Sequence, residues 1–272
     1  MDATAPFRPL MLRATGISKR FDALLALDGF DLDVPRHGLI SVIGPNGAGK
    51  SVFFDIVTGI TPPAGGTIWF NGRDITGLPP NQVAAVGIAR TFQTSRLFDN
   101  MTVLENVLVG EHTHLHASFW EAVFRTPAMI QEEAAAYTRA QELLRFTGLT
   151  AAAGQLAKNL PYGDQRRLEV ARAMATQPQL LLLDEPTAGM NPHETATMMT
   201  FIARLRQEWG VTILLIEHDM RIVMRISDRV TVLDHGVKIA EGSPDEIRAD
   251  PRVVEAYLGR PLWLATPQSA AP

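Results

Sequence analysis

Eight consecutive residues constrain this chain more than any other feature. Gly44-Pro45-Asn46-Gly47-Ala48-Gly49-Lys50-Ser51 follows the apolar run Leu39–Ile43 and precedes a helix expected over Ser51–Val57. The pattern is G-x-x-x-x-G-K-[ST], set between a strand and a helix as that motif requires. Its glycines let successive backbone N–H groups turn inward as an anion nest, and the helix N-terminus adds its positive end. A lysine at the seventh position reaches β- and γ-phosphates, and a hydroxyl at the eighth ligates Mg²⁺. Residues Gly44 to Ser51, with Val52 behind them, are therefore expected to hold ATP and Mg²⁺. The competing reading is a glycine-rich turn without a ligand.

The rest of the chain supplies a scaffold for such a loop. Short apolar runs at Leu180–Leu183, Thr212–Ile216 and Arg229–Asp234 have the length of buried strands, and helical stretches such as Glu194–Trp209 separate them. Strands alternating with helices predict an α/β fold with a parallel sheet covered on both faces. From Thr102 to Gln177 the pattern is mostly helical and reads as an insertion between two halves of that sheet. Two short helices are expected after Pro244, the second near Pro251–Leu258, and a frayed end after Pro261. A length of 272 residues suits one core with an inserted subdomain.

Composition narrows the function. A net charge of -4 gives no global pull toward nucleic acid. There are no cysteines, which removes disulfides and thiolate metal sites. No segment approaches the roughly 20 apolar residues of a membrane span, and Met1–Leu12 lacks a signal-peptide core, so any membrane connection is expected to come through a partner.

Two carboxylates close the strand at Leu180–Leu183: Asp184 and Glu185. Beside a phosphate loop, Asp184 is expected to hold the Mg²⁺ shell, and Glu185 to orient or deprotonate the attacking water. His218 follows the strand Thr212–Ile216, where parallel sheets bind ligands, and a neutral imidazole there can sense the γ-phosphate. Gln93, after a strand-like run, can offer its amide oxygen to Mg²⁺ and the water. Alone, the last two signals are weak.

A further stretch, Leu160-Pro161-Tyr162-Gly163-Asp164-Gln165-Arg166-Arg167, precedes the acidic strand. It resembles the signature of ABC-transporter ATPases, usually L-S-G-G-Q. The resemblance runs from about Leu12 to Gly259, with Gln93, Asp184-Glu185, Ala188-Gly189-Met190-Asn191-Pro192 and His218 in the family's order. It implies a P-loop NTPase core with a parallel sheet, an antiparallel β subdomain and an inserted helical subdomain. The implied divisions are 10–92 and 179–242 for the nucleotide-binding core, 93–178 for the signature subdomain, 243–264 for a helical tail and 265–272 for the frayed end. It implies Lys50, Gln93, Glu185 and His218 as catalytic, Phe21 stacked on the adenine, and Ser51, Gln93 and Asp184 around Mg²⁺. Tyr162, Gly163, Asp164 and Gln165 would face the ATP of a second ATPase protomer, with Gly189 and Asn191 in the loop between protomers. Membrane permease subunits, and indirectly a solute-binding protein, are the other implied partners, at the cytoplasmic face of a bacterial inner membrane.

Within that family, Tyr162-Gly163 with Arg166-Arg167-Leu168-Glu169, Thr91-Phe92-Gln93 to Arg96-Leu97-Phe98, Ile216–Met220 and Ala256-Tyr257-Leu258-Gly259 resemble the larger ATPase subunit of branched-chain amino acid importers. Glu111–Thr138 resembles that subunit's extension. Four residues depart from the general family pattern. Pro161 replaces the signature serine and Asp164 a glutamine, so a carboxylate stands near polyphosphate unless Arg166 or Mg²⁺ compensates. Val52 stands for a hydroxyl residue, and Asn191 for an aspartate. His112, His114 and His116 alternate as metal ligands on a strand would, but the stretch leans helical. The alternative function is a soluble ABC ATPase acting on ribosome or nucleic acid; a P-loop kinase would not need the signature.

Overall fold

The computed structural model of the chain describes residues 9–93, 97–112 and 126–258. These group into two compact units, one made of the chain up to Gly77 together with the chain from Leu215, the other of Leu78–Leu214. Arg96, His114, His116, Gly259 and the end at 265–272, all named above, lie outside the described residues.

In the first unit the chain forms β1 (Leu10–Phe21), β2 (Leu24–Pro35), β3 (Leu39–Ile43), α1 (Lys50–Val57), β4 (Gly65–Phe70) and β5 (Arg73–Asp74). The second unit contains α2 (Pro80–Ala85), β6 (Ile88–Arg90), α3 (Val103–Glu111), α4 (Pro127–Thr147), α5 (Tyr162–Ala175), β7 (Leu180–Asp184) and α6 (Pro192–Trp209). The division falls within β8 (Thr212–Ile216), and the first unit resumes with α7 (Met220–Ile226), β9 (Arg229–Asp234), β10 (Val237–Gly242), α8 (Pro244–Ala249) and α9 (Pro251–Leu258).

Four strands of the first unit form an antiparallel sheet in the order β2-β1-β4-β5. Its strands alternate: in β2, Phe30, Leu32 and Val34 are buried while Asp31 and Asp33 are exposed. The register puts Leu12 between Val34 and Phe70, and Ala14 between Leu32 and Ile68, so one face carries continuous apolar rows. By contrast β3 is buried along its whole length and runs parallel to β9, which pairs antiparallel with β10. A continuous apolar run is what burial on both faces demands. Ile43, Val223, Val230, Val232, Ala240, Ile247 and Val253 form one core cluster there.

In the second unit β6 and β7 are parallel, with Ile88 opposite Leu180. The four leucines of β7 are fully buried, each worth roughly 1.5–3 kcal/mol. On α4, Ala136, Ala140, Leu143, Leu144 and Thr147 are buried, the spacing of one helical face. Gly110 marks a close approach of α3 to α5, because a Cβ there would stand 2.3 Å from the Arg172 carbonyl oxygen. Thr102 with Glu105, Asn191 with Glu194 and Ser243 with Glu246 form capping boxes at α3, α6 and α8.

Candidate active site

The phosphate loop leaves β3 and enters α1 as expected, with the helix starting one residue earlier, at Lys50. Three of its glycines have positive φ: Gly44 at 151°, Gly47 at 80° and Gly49 at 104°. Two of these are also sterically required. A Cβ on Gly44 would lie 1.9 Å from the Leu233 carbonyl oxygen, and one on Gly49 would lie 2.4 Å from that of Ala26. The Ala48 carbonyl accepts from the Gly236 amide at 3.0 Å, which pins the loop to the β9–β10 turn. Gly49 gives α1 no side-chain cap, so the first-turn amides are presented to the loop. Lys50 is buried, and its ammonium donates to the carbonyls of Gly44 at 2.7 Å and Pro45 at 2.9 Å. Asn46, Gly47 and Ser51 are exposed, while Pro45 and Val52 are half-buried. The donor set fits a polyphosphate with a divalent cation: inward amides, one ammonium and an accessible hydroxyl.

Phe21 closes β1 and is 44% exposed, with the Lys19 ammonium 5.1 Å from its ring centroid. It is therefore a surface aromatic rather than a core one, in the first unit with the loop. His218 is exposed after β8, and Asp219 next to it caps α7 by accepting from the Arg221 amide.

In the second unit the acidic pair is buried at the end of β7. Asp184 forms an ion pair with Arg90 at 2.8 Å, with 3% and 7% of the two side chains exposed. A buried carboxylate needs such compensation. Glu185 accepts from the Gln93 amide nitrogen at 2.9 Å, so two predicted site residues meet directly. Its φ of 48° puts it in the left-handed region, uncommon for a residue with a side chain.

At the start of α5, Pro161 takes the N-cap position and the helix survives it. Asp164 pairs with Arg167, one turn on, where the sequence reading offered Arg166 or Mg²⁺ as its compensation. Arg166 turns inward instead. It donates to the carbonyls of Phe92 (2.9 Å) and Gln93, to Glu169 (3.0 Å) and to the Tyr162 hydroxyl (3.0 Å). Burial works against its charge, but Glu169 and Tyr162 outweigh it and raise the guanidinium pKa. The Tyr162 hydroxyl donates to the Ala188 carbonyl at 2.9 Å, and Gly189 lies against the same ring. Gln165 donates to the Leu160 carbonyl at 2.9 Å. Asn191 caps α6 by accepting from the His193 and Glu194 amides, both at 3.0 Å. Of the three alternating histidines only His112 is described, at the C-cap of α3, and no three-residue metal cluster occurs among the described residues.

A family model described as ABC transporter matches residues 27–188, and one described as branched-chain amino acid ATP-binding cassette transporter matches 237–261. The high-affinity branched-chain amino acid transport ATP-binding protein BraF of Pseudomonas aeruginosa is 48% identical over 93% of this chain and 98% of its own. The corresponding LivG of Escherichia coli K12 is 47% identical over 92% and 98%. The chain belongs to the ABC transporter ATP-binding cassettes, in the branched-chain amino acid transport family. A solved cassette of an ABC transporter in its ADP conformation superposes with a TM-score of 0.81 at 34% identity, covering 92% of this chain and 99% of that one. A nucleotide-free cassette superposes at 0.80, also with 34% identity, covering 92% and 100%.

As an ABC cassette the chain has two site residues that sequence reasoning missed or misread. Arg90 was passed over as the end of a strand-like run, although it compensates Asp184. Arg166 read as a compensating charge for Asp164, yet it ties the Gln93 backbone to α5. The available signal was an arginine one residue before Thr91-Phe92-Gln93 and an Arg–Glu pair three apart on a helix. Neither spacing says which way an arginine points.

Proposed function

We propose that this cassette binds Mg-ATP and hydrolyses it to ADP and phosphate, driving a membrane importer for branched-chain amino acids or a related small polar solute. The observation that carries the reading is the glycine-built loop at Gly44–Ser51, where any Cβ at Gly44 or Gly49 would collide with backbone. The amides of the loop and the Lys50 ammonium hold the β- and γ-phosphates, and Phe21 stacks on the adenine. Mg²⁺, held by Ser51 with Gln93 and Asp184, would offset charge on the terminal phosphates. Glu185, steadied by Gln93, accepts a proton as water attacks the γ-phosphorus and the bond to the ADP oxygen breaks. His218 donates to the γ-phosphate.

Tyr162, Gly163, Asp164 and Gln165 face the nucleotide of a second protomer, of the same or a paralogous chain, and Gly189 and Asn191 lie in the loop between protomers. The pairing of Asp164 with Arg167 lowers the cost of a carboxylate there. The core occupies 10–92 and 179–242, the signature subdomain 93–178 and the tail 243–264. Permease subunits and, through them, a solute-binding protein complete the assembly at the cytoplasmic face of a bacterial inner membrane. No described helix is long and apolar enough to cross a membrane. The relatives' names and the match at 237–261 favour import over a ribosome or nucleic-acid role.

The test is Lys50→Ala in the purified chain, with Mg-ATP binding followed by fluorescence and phosphate release by a coupled assay. Both should fall at least tenfold. Unchanged binding and turnover would end the nucleotide reading. Co-purification with a polytopic permease, rather than with ribosomes, tests the import role.

A further inference from the structure

Gln93 and Glu185 sit in a closed circuit of hydrogen bonds that lies wholly within the second unit. Arg166 donates to the carbonyls of two successive residues, Phe92 at 2.9 Å and Gln93. In an extended strand successive carbonyls point to opposite sides, so one guanidinium that takes both fixes a bend just beyond β6. The side chains of that dipeptide serve the two acids. The Phe92 ring centroid is 5.1 Å from the Arg90 guanidinium, which pairs with Asp184. The Gln93 amide reaches Glu185 at 2.9 Å. Tyr162 closes the circuit. Its hydroxyl accepts from Arg166 at 3.0 Å and donates to the Ala188 carbonyl at 2.9 Å. The Ala188 amide in turn donates to the Glu185 carbonyl at 3.1 Å. Glu185 is thus gripped by side chain and backbone at once, at a φ of 48° that persists only where its surroundings over-determine it.

We infer that Arg166 and Tyr162 are positioning residues for hydrolysis: Arg166 aims the Gln93 amide at Glu185, and the Tyr162 hydroxyl ties that aim to the turn at Ala188. This rests on the reading of Glu185 as the group that accepts the proton of the attacking water. Both residues act through Gln93 and Glu185, so their effect falls on kcat and not on the affinity for Mg-ATP. Lysine at 166 keeps the charge beside Glu169 but has no planar fork to span two carbonyls and a hydroxyl. Phenylalanine at 162 keeps the ring and loses only the two hydrogen bonds of the hydroxyl. Side chains that served stability alone would leave turnover per folded molecule unchanged.

The experiment measures Kd for Mg-ATP, KM and kcat on the full chain, well below each melting midpoint. The variants are Arg166→Lys, Tyr162→Phe, Gln93→Ala, Glu185→Gln and the double Arg166→Lys with Gln93→Ala. Loss of aim should lower kcat about ten-fold in Arg166→Lys and about five-fold in Tyr162→Phe, with Kd within about two-fold of wild type. Because Arg166 acts through Gln93, the double should fall no more than about two-fold below Gln93→Ala alone. Wild-type kcat in Arg166→Lys or in Gln93→Ala overturns the positioning, as do penalties that multiply in the double or a loss that appears in Kd instead of kcat. A silent Tyr162→Phe beside a slowed Arg166→Lys removes Tyr162 from the circuit. If Arg166→Lys folds poorly, Tyr162→Phe decides: a lower kcat at unchanged Kd supports the inference, and wild-type kcat overturns it. Glu185→Gln that is slow while Arg166→Lys and Tyr162→Phe are silent sinks the positioning alone. Glu185→Gln that turns over at the wild-type rate sinks the reading of Glu185 and the positioning with it.

Discussion

Replacing Arg166 with methionine removes one guanidinium that serves four acceptors at once. Arg166 and Glu169 have 5% and 3% of their side chains exposed, so the pair is sealed from water. Methionine keeps the length and apolar stem but takes the guanidinium away from the Glu169 carboxylate and from the carbonyls of Phe92 and Gln93. Breaking a buried pair by removing one partner costs about 3–5 kcal/mol. Arg172, whose own pKa is lowered by burial and partly restored by Glu169, stands close enough to soften the loss. We therefore expect about 3 kcal/mol. For a chain of this size each kcal/mol moves the midpoint roughly 2–4 °C, giving a drop of about 6–12 °C by circular dichroism. The double variant Arg166→Met with Glu169→Leu also removes the buried carboxylate and should recover more than half of the drop. A single variant melting within about 2 °C of wild type, or a double variant losing the sum of both singles, would refute the assignment.

Gly44→Ala should lower the melting midpoint and abolish Mg-ATP binding, because its Cβ meets the Leu233 carbonyl oxygen at 1.9 Å; near-normal binding by fluorescence would contradict the loop geometry. Glu185→Gln should leave Mg-ATP affinity within a few-fold of wild type and slow phosphate release by about 10² or more; turnover at the wild-type rate removes Glu185 from its role. Acid should loosen the helix ends first. The Asp219 and Asp250 carboxyls are held low by Arg221 and Arg252, and those of Glu105 and Glu246 by the amides of Thr102 and Ser243. Their folded values lie below the unfolded ones, so what they contribute is complete above about pH 5 and is lost as pH falls through the lower folded values. Urea midpoints should be flat from pH 7 to 5 and decline below about pH 4; midpoints that hold to pH 2.5 count against these caps.

Much of the scaffold was legible because it obeys local rules. The runs at Leu39–Ile43, interrupted only by Ser41, and at Leu180–Leu183 are apolar because their strands are buried along their whole length, as β8 is too. The tail announced itself through Ser243-Pro244-Asp245-Glu246, a capping box with proline at the first helical position, and through Pro251. The long hairpin of β1 and β2 did not, since glycines at 16 and 29 and several register shifts break its alternation. The three-residue β6, which owes its place to pairing with β7, showed only as a strand-like run before Gln93. At the site, loop residues were readable because backbone conformation dictates glycine there. Arg90 and Arg166 find their partners 94 and 73 or 74 positions away, a distance over which no periodicity speaks.

The left-handed backbone at Glu185 sets conformational comfort against chemistry at one position. Glycine would occupy φ 48° with less strain, by about 1 kcal/mol, yet it carries no carboxylate. Any breeding scheme that rewards heat resistance alone would feel a pull away from acid at 185, and its hardiest offspring would idle.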